Sequence, residues 1–128
     1  MNKRVKTRIK TSEASDEYDW LTCPKCGENY LHQHSVTEYF RRGEDGPTTA
    51  MELCGLTTRI PSENAEDRNP SSRRDGIRIS FFCECCSEPD SEGNRNFVKP
   101  DIELVLAQHK GFTEIWMEHT TNEDDDGL

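Results

Sequence analysis

A chain of 128 residues has room for one small domain, and with 31% hydrophobic residues, 32% charged residues and a mean hydropathy of −0.95 it must concentrate its apolar side chains in a few segments. The formal charge of −9 is unevenly placed: five bases (Lys3, Arg4, Lys6, Arg8, Lys10) and no acid fall in the first ten residues, which leaves −14 on the rest. Such an acidic body argues against broad, non-specific coating of nucleic acid, and no apolar run has the length of a signal peptide or of the roughly 20 residues that span a bilayer, so a cytoplasmic location is expected.

In chain order, residues 1–15 are polar and without periodicity and read as a flexible basic arm ahead of a single domain over 16–119. EYDWLT is a weak strand candidate, and it leads into TCPKCGENYLHQH, where Cys23 and Cys26 form C-x2-C around a turn started by Pro24 and Gly27. YLHQHSVTEYF continues as a second strand. His32 and His34 fall on one face of it as polar surface positions, with no second ligand set in view. The stretch of about 43–75, rich in Gly, Pro, Ser, Asn and charge, is expected as a long polar insert, bracketed by the doublets Arg41-Arg42 and Arg73-Arg74.

GIRISFF alternates Ile77, Ile79 and Phe81 with Arg78, Ser80 and Phe82 and reads as a strand, and it runs into FFCECC, where Cys83 and Cys86 form the second C-x2-C. IELVLAQ, HKG and FTEIWME form a hairpin, with Gly111 expected at the left-handed turn position and His109 as a polar turn residue. Residues 120–128 are an acidic, solvated tail. Of the larger aromatic residues, Tyr39, Phe40, Phe82, Phe112 and Trp116 are assigned mainly to the core, since the chain has few other apolar side chains to build one.

Two C-x2-C pairs, each between strands, are the layout of two facing knuckles, in which two intervening residues let both thiolates of a pair reach one ion. Four thiolates and a tetrahedral preference point to one structural Zn2+ held by Cys23, Cys26, Cys83 and Cys86, with no position left for a catalytic water. Cys85 is the competing fourth ligand, and equal spacing of the pairs favours Cys86; Cys54 is an ordinary thiol. Free near a metal, Cys85 gives the chain a redox-sensing alternative.

At CPKCGENYLH and FFCECC the sequence resembles the zinc-ribbon group, and the order CPxCG-x2-YLH, polar insert, NPSSRRDGIRISFFCECC and apolar hairpin is similar to small uncharacterised proteins of bacteriophages and mobile elements. The resemblance covers residues 20–118 and implies a mostly β fold, a small zinc-ribbon-type antiparallel sheet with a long polar insert. It implies no activity, although Cys85 and the GNRNFVKP stretch depart from its simplest form. Neither LHQH nor EHTTN pairs an acid with a histidine in a recognisable catalytic arrangement, so no enzyme is expected. The acidic body suits docking on a protein partner, such as a host factor with a basic surface. The alternative is a nucleic-acid-binding ribbon that uses the basic arm and the candidate partner-binding residues Arg41, Arg42, Arg73 and Arg74.

Overall fold

The structure of the protein is a computed structural model that describes residues 2–44, 46–60, 65–86 and 100–122. These residues form β1 (Asn2–Thr7), β2 (Thr11–Glu13), β3 (Asp19–Leu21), β4 (Leu31–Arg41), β5 (Thr48–Cys54), β6 (Thr57–Arg59), α1 (Ala65–Arg68), β7 (Gly76–Cys83), β8 (Ile102–His109) and β9 (Phe112–Asn122). Seven strands make one antiparallel sheet in the order β1-β9-β8-β7-β4-β5-β6, and β2 and β3 make a separate antiparallel ribbon. The fold is mostly β, as the alternating segments predict, with β4, β7, β8 and β9 where the sequence places them.

Four expectations need correction. The stretch 1–15 supplies β1 and β2 instead of a free arm, and β1 runs against β9 from Asn2↔Asn122 to Thr7↔Met117. Hydrophobic periodicity does not reveal β1, because its residues are held by polar contacts: Arg4 bonds Glu103 and Glu118, and the Lys6 ammonium sits 4.1 Å above the Trp116 ring. The insert of 43–75 contains β5, β6 and α1, with residues 45 and 61–64 outside the described residues. In β5 the pattern is inverted: Thr48 and Ala50 are buried while Met51 and Leu53 face out, so the strand does not read as a core strand. In the β8–β9 turn the left-handed residue is Lys110, with φ 54°, and not Gly111. Of the expected acidic tail, Thr120, Thr121 and Asn122 belong to β9, and 123–128 lie outside the described residues, as does GNRNFVKP except for Pro100.

The sheet is packed on both faces. One face carries the apolar cluster of Cys23, Phe81, Cys83, Ile102 and Met117, over which Ile9, Leu21 and Leu31 pack. The other buries Tyr39, Ala50, Val105 and Ala107 beside an ion network. There Arg78 donates to Glu103 (2.9 Å) and Glu118 (3.0 Å), Arg68 donates to Glu103 (2.9 Å), and the Trp116 indole donates to Glu118 (2.7 Å). Residues 69–75 close over this face. The Asn69 amide donates to Thr48 and to the Arg74 carbonyl, and the Ser71 hydroxyl donates to the Gln108 carbonyl. Gly76 permits that approach, since a Cβ there would lie 2.4 Å from Pro70 Cγ.

Candidate metal centre

Each cysteine pair is built by its own strand end. After β3 the chain turns back on itself: the Cys23 N–H donates to the Glu28 carbonyl (2.8 Å), the Gly27 N–H to the Cys23 carbonyl (2.9 Å) and the Lys25 N–H to Cys23 Sγ (3.3 Å). Gly27 closes this turn at φ 82°, a left-handed conformation that costs a side-chain-bearing residue about 1–2 kcal/mol. The second pair leaves the end of β7 through a turn in which the Cys86 N–H donates to the Cys83 carbonyl (3.2 Å).

The long sequence separation of the pairs is bridged by direct strand pairing. β4 and β7 are neighbours with Leu31 opposite Cys83, and the Glu84 N–H donates to the Tyr30 carbonyl (2.9 Å), so the start of β4 and the end of β7 share one edge of the sheet. β5, β6 and α1 are inserted between these partners and leave that edge undisturbed.

Here the sulfurs of Cys23, Cys26, Cys83 and Cys86 all lie within 4.8 Å of one another. Cys23 approaches Cys86 at 3.8 Å and Cys26 approaches Cys83 at 3.6 Å, so each close contact crosses from one pair to the other. All six cysteines are free thiols, and these separations are far from the roughly 2.05 Å of a disulfide. Among the described residues this is the one cluster of its kind. Cys23 and Cys83 are buried in the apolar cluster, while Cys26 is exposed and Cys86 half-buried, which leaves an approach from solvent.

The electrostatics of the cluster are compatible with a cation. Burial raises the Cys26 thiol, but hydrogen bonds from the Glu28 backbone and from the Cys86, Cys83 and Cys23 thiols outweigh it, so Cys26 ionises below the usual thiol range. Burial and the bond to Cys26 push Cys83 up, and Cys86 is pushed up further by burial and by the neighbouring sulfurs. A first thiolate thus makes the next ones costly, and only a positive ion relieves four of them at once. Lys25 stands beside the cluster, tied to Asp101 at 2.9 Å. Burial lowers its pKa, but Asp101 and the Cys86 and Cys23 sulfurs raise it by more, so it is held charged. The C-P-K-C spelling carried that signal in its lysine.

Cys85 is exposed and stands outside the group, so Cys86 joins the other three cysteines. Its thiol is pushed up by local desolvation and by the negative Cys83, Cys26, Glu28 and Glu84 around it. Cys54 lies half-buried on β5, away from the cluster. His32 stacks on Phe82 with centroids 4.8 Å apart and reaches Glu84 at 3.4 Å; His34 is the additional residue of a bulge in β4. The arginine doublets do meet at one end of the sheet, but largely on partners of the chain itself. Arg41 donates to the Gly46 carbonyl (2.9 Å) and the Ser71 carbonyl, and its N–H to Asp75, while Arg73 (3.2 Å) and Arg74 both bond Glu44. Arg42 is exposed.

Sequence reading missed the charged residues buried on the opposite face, Arg78, Glu103 and Glu118. Their only signal was the polar positions of GIRISFF, IELVLAQ and FTEIWME, which resemble a solvated face. No helix among the described residues is long and apolar enough to cross a membrane. No protein family, curated protein or solved structure matches the chain, so the likeness to zinc ribbons rests on the two cysteine pairs and the site that they form.

Proposed function

We propose that the protein is a non-enzymatic binding module, stabilised by one structural Zn2+ on Cys23, Cys26, Cys83 and Cys86, that docks on a protein partner. The observation that carries the metal is the convergence of four sulfurs. Thiolates about 2.3 Å from a tetrahedral zinc stand about 3.8 Å apart, which matches the separations of 3.6 and 3.8 Å across the pairs. Bound there, zinc supplies the positive charge that the thiolates need and a cross-link between the β3–β4 turn and the end of β7. Four protein ligands fill its coordination sphere, which supports a structural role over a catalytic one. The thiolates need a reducing compartment, which agrees with a cytoplasmic protein.

Docking on protein is favoured by the charge of −9 and by the way the arginine doublets are occupied by Glu44, Asp75 and backbone carbonyls. The implied phage or mobile-element accessory role, acting on a host factor, belongs to this reading. Nucleic-acid binding is the second reading, and one observation speaks for it: Lys3, Arg8 and Lys10, on or just after the edge strand β1, carry no ion pair among the described residues. A redox role for Cys85 comes third.

Elemental analysis of the purified chain tests the metal, and one zinc per chain is expected. Affinity capture with the zinc-loaded chain at rising salt tests the partner. A protein retained at moderate salt supports docking, and nucleic acid lost steeply with salt supports the second reading. Absence of metal would overturn the proposal.

A further inference from the structure

On the face of the sheet that holds the apolar cluster, the half remote from the cysteines carries a second apolar surface that is open to solvent. Register aligns Met51, Glu38, Ile77, Leu106 and Ile115 in one row across β5, β4, β7, β8 and β9. Five strands at about 4.8 Å spacing make this row about 19 Å wide. Met51 is 45% and Ile115 58% exposed, and Phe40, beside the row, is 45% exposed. A shallow cavity of about 320 Å³ adjoins the row, lined by Phe40, Ile77 and Leu106 together with Glu38 and Asp75, and no lysine or arginine among the described residues lines it. The Glu38 carboxylate has no hydrogen bond or ion pair among the described residues. An apolar strip with one unpaired carboxylate among four apolar side chains has a defined complement.

We propose that this strip and cavity are the docking surface for a protein segment that presents apolar side chains around a single lysine or arginine, with the base meeting Glu38. The proposal rests on the protein-docking reading above and gives that partner a chemistry. A second copy of the chain fits less well: a two-fold axis along the row would set Glu38 against its own counterpart, and one across the row at Ile77 would set Glu38 against Leu106 with no counter-charge. Nucleic acid fits less well too, since the carboxylates of Glu38 and Asp75 repel phosphate.

The test uses the zinc-loaded full chain and three synthetic peptides of equal length, built from leucine and lysine, leucine and glutamate, or serine and lysine. Binding is followed by fluorescence anisotropy and mapped by backbone amide shifts. The leucine–lysine peptide is expected to bind and to shift amides of 36–41, Ile77 and Leu106, while the other two do not. The double substitution Met51→Ser with Ile115→Ser, at exposed positions and with zinc content checked, is expected to weaken that binding by about tenfold or more. Glu38→Lys is expected to turn the preference toward the leucine–glutamate peptide. Shifts confined to other surfaces, or unchanged affinity in the double variant, would overturn the proposal, as would a dimer that Ile115→Ser dissociates. A protein captured from lysate equally well by wild type and double variant would leave the docking reading standing and remove this surface. A wild-type chain that captures no protein would instead count against the docking reading itself.

Discussion

Two clusters of ionisable side chains pack against opposite faces of the same sheet, and they differ in whether they contain their own counter-charge. On one face Arg4, Arg68 and Arg78 interleave with Glu103 and Glu118, so each buried carboxylate has guanidinium groups around it. On the other face Cys23, Cys26, Cys83 and Cys86 are four donors of the same sign, and the ionisation of Cys26 comes with raised pKa values at Cys83 and Cys86. The first arrangement is complete as folded. The second holds no counter-charge of its own and is compatible with a cation, a difference that sets it apart from the self-contained network although both are partly buried and hydrogen-bonded.

The largest expected effect tests the dependence on a guest. Cys83→Ser, or removal of the metal by a chelator, is expected to abolish most of the folding free energy, about 5–15 kcal/mol for a domain, because metal binding and folding are coupled in small zinc modules. Circular dichroism and metal content should fall together. If the Cys83→Ser chain keeps its β spectrum without metal, the two clusters do not differ in the way described.

Next comes the self-compensated network. Arg78→Met leaves Glu103 and Glu118 without their central cation and is expected to cost about 3–5 kcal/mol in urea denaturation, with zinc content unchanged. Replacing Glu103 and Glu118 by leucine in the same chain is expected to recover part of that loss, since the buried carboxylates are then gone while Arg4 and Arg68, 35% and 37% exposed, can turn to solvent. The four thiols permit no such rescue.

A smaller, pH-dependent effect follows from Glu118. Burial raises its carboxyl pKa, but the Trp116 indole and the guanidinium groups of Arg78 and Arg4 outweigh this and hold it at about 2 in the folded chain, against an ordinary value of 4.5. The folded state therefore binds fewer protons, so the contribution is fully present above about pH 4.5 and is lost as pH falls toward about 2. Comparison of wild type with Glu118→Gln in urea titrations, each with its metal content followed, is expected to show a difference of no more than about 3 kcal/mol that shrinks over this window. A difference that persists unchanged at pH 2 would show that the carboxylate is not the titrating group. The smallest effect is at Cys85: Cys85→Ser is expected to change stability by less than about 0.5 kcal/mol and to leave zinc content intact, as suits an exposed side chain outside the cluster.

How much of this was legible in the sequence depends on which physical signal each element uses. The cysteine pairs were legible because ligand chemistry imposes a spacing, β7 because its apolar residues Ile77, Ile79 and Phe81 recur every second position, and β8 and β9 because two β-rich runs flank a short connection with a glycine. β1 was not, since Lys3, Arg4, Val5 and Lys6 contain one apolar residue and the strand is held by Glu103, Glu118 and Trp116, more than 90 positions away. β5 was hidden by its inverted pattern, with small residues inward and Met51 and Leu53 outward. The metal site was predicted from local spelling, but its closure depends on β4 pairing with β7, which no local window contains.

The pairing of β1 with β9 has a consequence for the order of events during synthesis. Arg4 meets Glu118 across a sequence separation of 114 residues, and among the described residues β1 has no neighbour in the sheet other than β9. β1 leaves the ribosome well before β9 and must wait for it, while β4, β5 and β7 are free to pair earlier. The basic segment spends that interval unpaired, and its run of lysine and arginine keeps so exposed an edge soluble until β9 arrives.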